Sequence, residues 1–424
     1  MYALYNILLH LTVVVASPFL LLMVLFNRYN LRQRLGSSKS GSEALGGRGV
    51  WFHAASMGEV AALATVVDEI KRWCPLVRVA VSTTSATGQR RAKELIPSAE
   101  GLFLAPLDLP WAVDRVLRRL QPTSLLLTET ELWPNMIVRA KHRGCKVALI
   151  NGRMSPKSVD RYRRVKGLMS ALLDRFDLLC VQTETDRDRF LALGADPERV
   201  AVLGNLKFDL LRFLASQTKS TVTRESLGIP SRSKVIVAGS TRPGEEEILL
   251  PGYTKVREAQ GETVFIMAPR HLDRIGEVER ILSNRGMEFT SRSRTDNTVS
   301  IDSGIILLDT MGELTQVYSF ADVAFVGGSL VPCGGHNPLE PAMWGVPVLF
   351  GPHRDHVRQL TDLLIQQQGG IEIKNGNDFA DTVIRLLKDP DERERRGRSA
   401  LKVVEDHSGV ATRTVQVLRH HGVL

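Results

Sequence analysis

The residues best suited to chemistry fall just after short apolar runs. His53-Ala54-Ala55-Ser56-Met57-Gly58-Glu59 closes one run and precedes an apolar stretch from Val60 to Ile70. Glu59 therefore belongs in the first turn of a helix. There the dipole favours an ionised carboxylate, the form that takes a proton from an attacking hydroxyl. A positioned base contributes ~10²–10⁴ in rate. The same spacing fits a capping box, Ser56 paired with Glu59. Thr128-Glu129-Thr130-Glu131-Leu132-Trp133-Pro134-Asn135 follows another run. Acids two apart at a strand end suit metal binding, orientation of an acceptor sugar or support of a base; an ordinary polar loop is the alternative. Lys207, within Gly204-Asn205-Leu206-Lys207-Phe208-Asp209, could neutralise charge on a leaving phosphate or sit solvated beside a domain joint.

The second half repeats the pattern. Phe325 to His353 reads as strand, glycine loop, helix, strand, with Gly327-Gly328-Ser329 and Gly334-Gly335-His336-Asn337-Pro338-Leu339-Glu340 between apolar runs. Glycine lets backbone N–H groups approach a ligand closely, and a helix start aims its positive end at an anion. Glu340 suits a pair of ribose hydroxyls, and Asn337 both donates and accepts. Arg270, after Pro269, could pair with phosphate. Thr310-Met311-Gly312-Glu313 adds a glycine for close approach and an acid for a pyrimidine amine or its own helix terminus. Gly239-Ser240-Thr241-Arg242-Pro243-Gly244-Glu245-Glu246-Glu247 is a fourth such loop. Together they read as a site for a nucleoside monophosphate, whereas a purely packed glycine turn is the plainer reading.

These loops need strands to hold them. Apolar runs begin at Val50, Val77, Ser124, Lys146, Leu178 and Val200, and again at Val235, Val264, Ile305, Val323, Val346 and Ile371. Amphipathic stretches separate them, so parallel sheets covered by helices on both faces are expected, with about six strands in each half. Ligands in such sheets bind outside the carboxyl ends of the strands, which is where the polar motifs fall. Phe208 to Ser233 reads as the connection between two doubly wound domains facing a central cleft. The expected divisions are 1–30 anchor, 31–49 linker, 50–215 first domain and 216–424 second domain.

Composition narrows the class. At 424 residues, with 43% hydrophobic and 24% charged residues, the chain is globular and long enough for two cores. Cys74, Cys145, Cys180 and Cys333 form no CxxC pair, which argues for a reducing compartment. The net charge of +9 suits an acidic partner. Basic residues do not alternate with aromatics, so nucleic acid is not expected; anionic lipid fits as well. The run Arg161-Tyr162-Arg163-Arg164-Val165-Lys166 reads as a solvated face or a dock for phosphorylated lipid. Ile7 to Phe26 is almost wholly apolar; at ~1.5 Å per residue, roughly twenty residues span a bilayer core. Arg28, Arg32, Arg34 and Lys39 follow, predicting an uncleaved anchor with the remaining chain cytoplasmic. Pro18 leaves a helix lying in the interface as the alternative. Asp186-Arg187-Asp188 opens an amphipathic helix and reads as a charged first turn rather than a metal site. GxGxxG after a strand, GxxxxGK[ST] and GxSxG are missing, so a dinucleotide fingerprint is unsupported.

HAASMGE, TETELWPN, GNLKFD, APRH, DTMGEL and FVGGSLVPCGGHNPLEP occur in an order and spacing that resembles bacterial 3-deoxy-D-manno-octulosonic acid (Kdo) transferases, over nearly the whole chain. The resemblance implies a GT-B fold of two Rossmann-like domains, the first binding acceptor and the second CMP-sugar. It implies inverting transfer of Kdo from CMP-Kdo to a phosphorylated lipid A precursor at the inner face of the cytoplasmic membrane, with no metal or other cofactor. Glu59 matches the family's base, and Glu129 and Lys207 match its transition-state stabilisers. Pro269, Arg270, Met311, Gly312, Glu313, Asn337, Pro338, Leu339 and Glu340 match its CMP-binding segments. Arg242 departs from the pattern, since many relatives carry histidine there. A nucleotide-sugar epimerase of the same architecture, or an inactive membrane-tethered binding module, are the alternatives.

Overall fold

The apolar runs are buried on both faces because they form two all-parallel sheets. The structure is a computed structural model that describes residues 2–25, 30–36, 45–46, 49–217, 222–294 and 304–424. It divides into two units, one of Met1–Leu210 with Ser408–Leu424, the other of Leu211–His407. In the first, β1 (Gly49–Ala54), β2 (Arg78–Thr83), β3 (Gly101–Leu104), β4 (Ser124–Thr128), β5 (Lys146–Gly152), β6 (Leu178–Val181) and β7 (Val200–Val202) lie in the order β3-β2-β1-β4-β5-β6-β7. In the second, β8 (Lys234–Thr241), β9 (Thr263–Pro269), β10 (Thr290–Ser291), β11 (Ile305–Leu307), β12 (Val323–Val326), β13 (Val348–Phe350) and β14 (Gly370–Glu372) lie in the order β10-β11-β9-β8-β12-β13-β14. The sense in which successive strands are added reverses between the parallel neighbours β1 and β4 in one sheet and β8 and β12 in the other. Crevices at such switch points, at the strands' carboxyl ends, are where open α/β sheets hold ligands.

Each unit has its own core. Trp51, Leu125, Leu127, Val147, Leu149 and Phe190 are buried on one side of the first sheet. Tyr253, Phe265, Phe325, Leu349 and Phe379 fill the corresponding layer of the second. Each sheet has one strand more than expected. The unexpected strands are the two edges beside β2 and β11: β3, the four-residue apolar GLFL, and β10, a polar two-residue strand.

The expected second domain, 216–424, needs correction at its end. The helix Val410–His420 belongs to the first unit. Asp209 draws it there, its carboxylate accepting from the N–H groups of Gly409 and Ala411, each at 2.6 Å. Thr412 Oγ1 donates to Glu69 at 2.9 Å, and Ser124 Oγ to the carbonyl of Val423. The expected linker is also partly structured. Leu31–Arg34 forms a turn of helix and Leu45 is buried in the first core; residues 37–44 and 47–48 lie outside the described residues, as do 26–29, including Arg28.

The N-terminal apolar stretch forms a helix, Tyr2–Leu25. Among the described residues, no helix is long and apolar enough to cross a membrane. Leu4, Ile7, Leu8, Leu11, Val14 and Val15 are all more than half exposed, while Tyr2 packs against the first core.

Candidate active site

In the first unit, the turn after β1 is pinned from both neighbouring strands. Thr128 Oγ1 donates to the carbonyl of His53 and Thr84 Oγ1 to that of Ala55, each at 2.6 Å. Ser56 caps the helix Met57–Trp73, accepting from the Glu59 N–H at 3.2 Å. The Glu59 carboxylate reaches back to accept from the Ala55 N–H at 2.8 Å and Ser56 Oγ at 2.9 Å. The capping box is thus formed, and it serves the base reading by fixing the carboxylate's direction. Glu59 is only 9% exposed. Burial pushes its carboxyl above the ordinary range, the two hydrogen bonds oppose this, and the charges of Glu129 and Glu131 add to the rise. A carboxylate so placed is a stronger base than one in water.

Glu129 stands at the end of β4 with φ 55, the left-handed region that side chains seldom adopt. Its N–H donates to the carbonyl of Ile150 at 3.0 Å, and its carboxylate pairs with Arg153 at 3.2 Å. Lys207 opens the helix Lys207–Gln217. Burial lowers its ammonium's pKa, Glu129 opposes this, and Arg153 reinforces it. Glu131 turns back to His53, whose Nε2 lies 3.5 Å from it, and accepts from Trp133 Nε1 at 2.7 Å. Burial works to raise the Glu131 carboxyl, but these two partners overcome it and hold it below the usual range. Glu129 is thus close enough to feel the charge of both Glu59 and Lys207. Arg153 and His53 were not singled out as partners; their signal was a polar segment directly after an apolar run, the same signal that marked the others.

The glycine loop of the second unit works differently from the expectation. The carboxylate of Glu245, fully buried, accepts from Gly328, Ser329 and Leu330 N–H at 2.6, 2.9 and 2.9 Å, and from Arg242 N–H at 2.9 Å. The loop's amides are taken by the protein's own anion. The helix beyond it, Leu339–Ala342, has four residues, too few for the dipole assigned to it. Glycine is still required at 327, where a Cβ would lie 2.4 Å from the Ser240 carbonyl oxygen.

Side chains supply the positive charge instead. Arg270 is exposed at the end of β9, its N–H donating to the carbonyl of Thr241 at 3.0 Å. Arg242 Nη1 donates to His271 Nε2 at 2.8 Å. Burial, helped by Arg242, Arg270, His271 and His356, pushes His336 down to about 4, so its ring is neutral near pH 7. Its buried Nε2 has no hydrogen-bond partner among the described residues. Burial lifts Glu340 to about 7, with Arg270 opposing. An anion beside Arg242 and Arg270, next to a carboxylate able to accept from hydroxyls, is the chemistry of a ribose phosphate.

The remaining expected residues divide by exposure. Met311 is 72% exposed, and Gly312, at φ +85, has open space where a Cβ would stand. Glu313 is not free for a base: Arg292 pairs with it at 3.2 and 3.3 Å, and Thr310 Oγ1 also donates to it. Asn337 Oδ1 accepts from the Leu339 N–H at 3.2 Å, holding the short helix. Pro269, Pro338 and Leu339 are buried and shape the loops from beneath. Among the described residues, no group of three or more His, Cys, Asp or Glu side chains is arranged to hold a metal ion.

Known proteins resemble this chain in sequence and in fold. Residues 29–210 match the family model described as 3-deoxy-D-manno-octulosonic-acid transferase (kdotransferase). The 3-deoxy-D-manno-octulosonic acid transferase of Haemophilus influenzae is 31% identical over 88% of this chain and 87% of its own. That of Chlamydia muridarum is 33% identical over 83% and 82%. The crystal structure of UDP-GlcNAc 2-epimerase from Neisseria meningitidis has the same fold, at a TM-score of 0.62 and 14% identity over 88% of this chain and 100% of that one. Identity of this extent, over nearly the full length of the relatives, places the chain in the 3-deoxy-D-manno-octulosonic acid transferase family.

Proposed function

We propose that the protein is an inverting glycosyltransferase of the GT-B type that moves Kdo from CMP-Kdo to a phosphorylated lipid A precursor, without a metal. The observation that carries the reading is the Glu59 carboxylate, buried, aimed by its capping box and held above its ordinary pKa. Glu59 takes the proton from an acceptor hydroxyl. That oxygen forms the new bond to the anomeric carbon of Kdo, while the bond from that carbon to the CMP phosphate oxygen breaks and CMP leaves with the electron pair. Arg270 and Arg242 stabilise the departing phosphate, and Glu340 accepts from the ribose hydroxyls. Pro269, Met311, Gly312, Asn337, Pro338 and Leu339 form the rest of the CMP cradle, with Glu313 braced by Arg292. Lys207 and Glu129 act on the acceptor side, where a poised ammonium offsets charge building in the transition state.

The acceptor is a lipid, and the exposed apolar residues Leu4 to Val15 of the N-terminal helix support a place at the cytoplasmic face of the inner membrane. Moving a large apolar side chain fully out of water contributes about 1.5–3 kcal/mol, and the excess positive charge suits anionic headgroups. In this reading the helix lies in the interface. The test is mass analysis of a Kdo-free lipid A precursor after incubation with purified protein and CMP-Kdo. Products heavier by whole Kdo units are expected, and their number counts the additions. An unmodified acceptor, with the protein folded and CMP-Kdo intact, would overturn the proposal.

A further inference from the structure

Over residues 2–17 the N-terminal helix has a part-buried side and an exposed side. Tyr2, Tyr5, Asn6, Leu9, Val13 and Ala16 are part-buried while their neighbours are exposed, and spacings of three and four residues place them on one helix face. Among the described residues, the polar contacts of this face with the rest of the first unit lie in the first five residues of the helix. Tyr2 Oη donates to Asn135 Oδ1 at 2.6 Å, and Tyr5 Oη to Asp108 Oδ2 at 2.9 Å. Asn135 Nδ2 donates to Asn6 Oδ1 at 2.8 Å and to the carbonyl of Asp108 at 2.6 Å. A helix held by lipid alone has no use for such contacts.

Their targets lie directly behind the acidic loop. Asn135 is fully buried and Asp108 is 6% exposed. The Asp108 carboxylate accepts from the N–H groups of Asn135 at 2.9 Å and Met136 at 2.8 Å, the first amides of the helix Pro134–His142. Glu131 and Trp133 immediately precede that helix; Trp133 Nε1 donates to the Glu131 carboxylate, which lies 3.5 Å from His53 Nε2. Tyr2, Tyr5 and Asn6 complete the hydrogen bonding of the two residues that fix where this helix starts. The loop carrying Glu129 and Glu131 hangs from that start.

We infer that Tyr2 and Tyr5 are positioning residues: the first turn of the N-terminal helix, through Asn135 and Asp108, sets the Glu129–Trp133 loop for binding the acceptor. The inference rests on the proposed transfer to a lipid acceptor, and it gives the helix a role separate from recruitment to a surface. Losing the hydroxyls leaves Asn135 and Asp108 short of partners while both aromatic rings remain.

The test compares full-length protein with the Tyr2→Phe/Tyr5→Phe double variant, using a detergent-dispersed phosphorylated lipid A precursor and CMP-Kdo, so that recruitment to a bilayer does not limit the rate. Loss of two part-buried hydrogen bonds predicts an acceptor KM raised about tenfold, with the CMP-Kdo KM within about twofold of the original. The Asn135 and Met136 amides should exchange hydrogen faster, with binding to anionic phospholipid vesicles unchanged. An unchanged acceptor KM overturns the inference. So does a parallel rise of both KM values with a lowered Tm, which marks a structural role alone; Tyr5→Phe by itself is the milder variant for that comparison. If the unaltered protein transfers no Kdo, the functional reading fails, and the exchange rates alone still decide the coupling, since unchanged rates at Asn135 and Met136 exclude it.

Discussion

Glu59 and Arg270 illustrate how much a single position reveals. The place of Glu59 was legible because a strand, a capping serine and an apolar helix leave few positions for the fourth residue of the motif. Its environment was not, because Glu129 and Glu131 are brought beside it by strand order. A carboxyl raised in this way keeps its proton to a higher pH, and only the ionised form accepts one from the acceptor. Activity should therefore fall on acidification through a pKa above the ordinary carboxylate range, measured as the acid limb of kcat against pH. A limb at or below the ordinary value would show that Glu59 does not control the rate. Arg270 has a different signature in the proposed reaction, where it would stabilise the leaving phosphate. Arg270→Ala should raise the CMP-Kdo KM by roughly 10–100-fold, the range for losing a charged contact to phosphate. Steady-state titration of CMP-Kdo at saturating acceptor checks this, and an unchanged KM would remove Arg270 from the donor site.

At the scale of elements, the carboxyl ends of the strands were readable and their partnerships were not. The glycine loop stood out by composition, but the anion that organises it comes from the start of the helix Glu245–Gln260, 83 residues before Gly328. Three consecutive glutamates at a helix start were the only hint, and an N-terminal acid explains itself by the dipole. Glu245 and Glu246 prove to differ: one holds the loop, while the other pairs with Arg274 at 2.9 and 3.2 Å. Glu245→Ala leaves four amides without their acceptor. Each buried unsatisfied group costs ~1–3 kcal/mol, so denaturant unfolding should show a loss of more than about 3 kcal/mol, with CMP binding lost as well. A variant of near-native stability that binds CMP would show that the loop holds itself. The short edge strands β3 and β10 and the return of the helix Val410–His420 escaped notice for the same reason, since each is fixed by long-range partners rather than by its own pattern.

Across the whole molecule, division of labour between the two units is the central claim. The acidic cluster around Glu59 belongs to the first unit, and the Arg242–Arg270 cluster with Glu340 belongs to the second. The general pattern of two doubly wound units was visible in the alternation of apolar runs, because a parallel strand is buried on both faces and needs a crossover helix. The crossing of the C-terminal helix to the first unit was not, because nothing in its amphipathic pattern names the surface it covers. If the base and the nucleotide grip reside in separate units, damage to one should leave the other's property intact. The most direct measurement is therefore Glu59→Gln, with kcat for Kdo transfer and the equilibrium affinity for CMP determined on the same folded protein. The account predicts a fall in kcat of ~10²–10⁴, as for removal of a positioned base, with CMP affinity within about twofold of the original. Turnover close to that of the unaltered protein would contradict it.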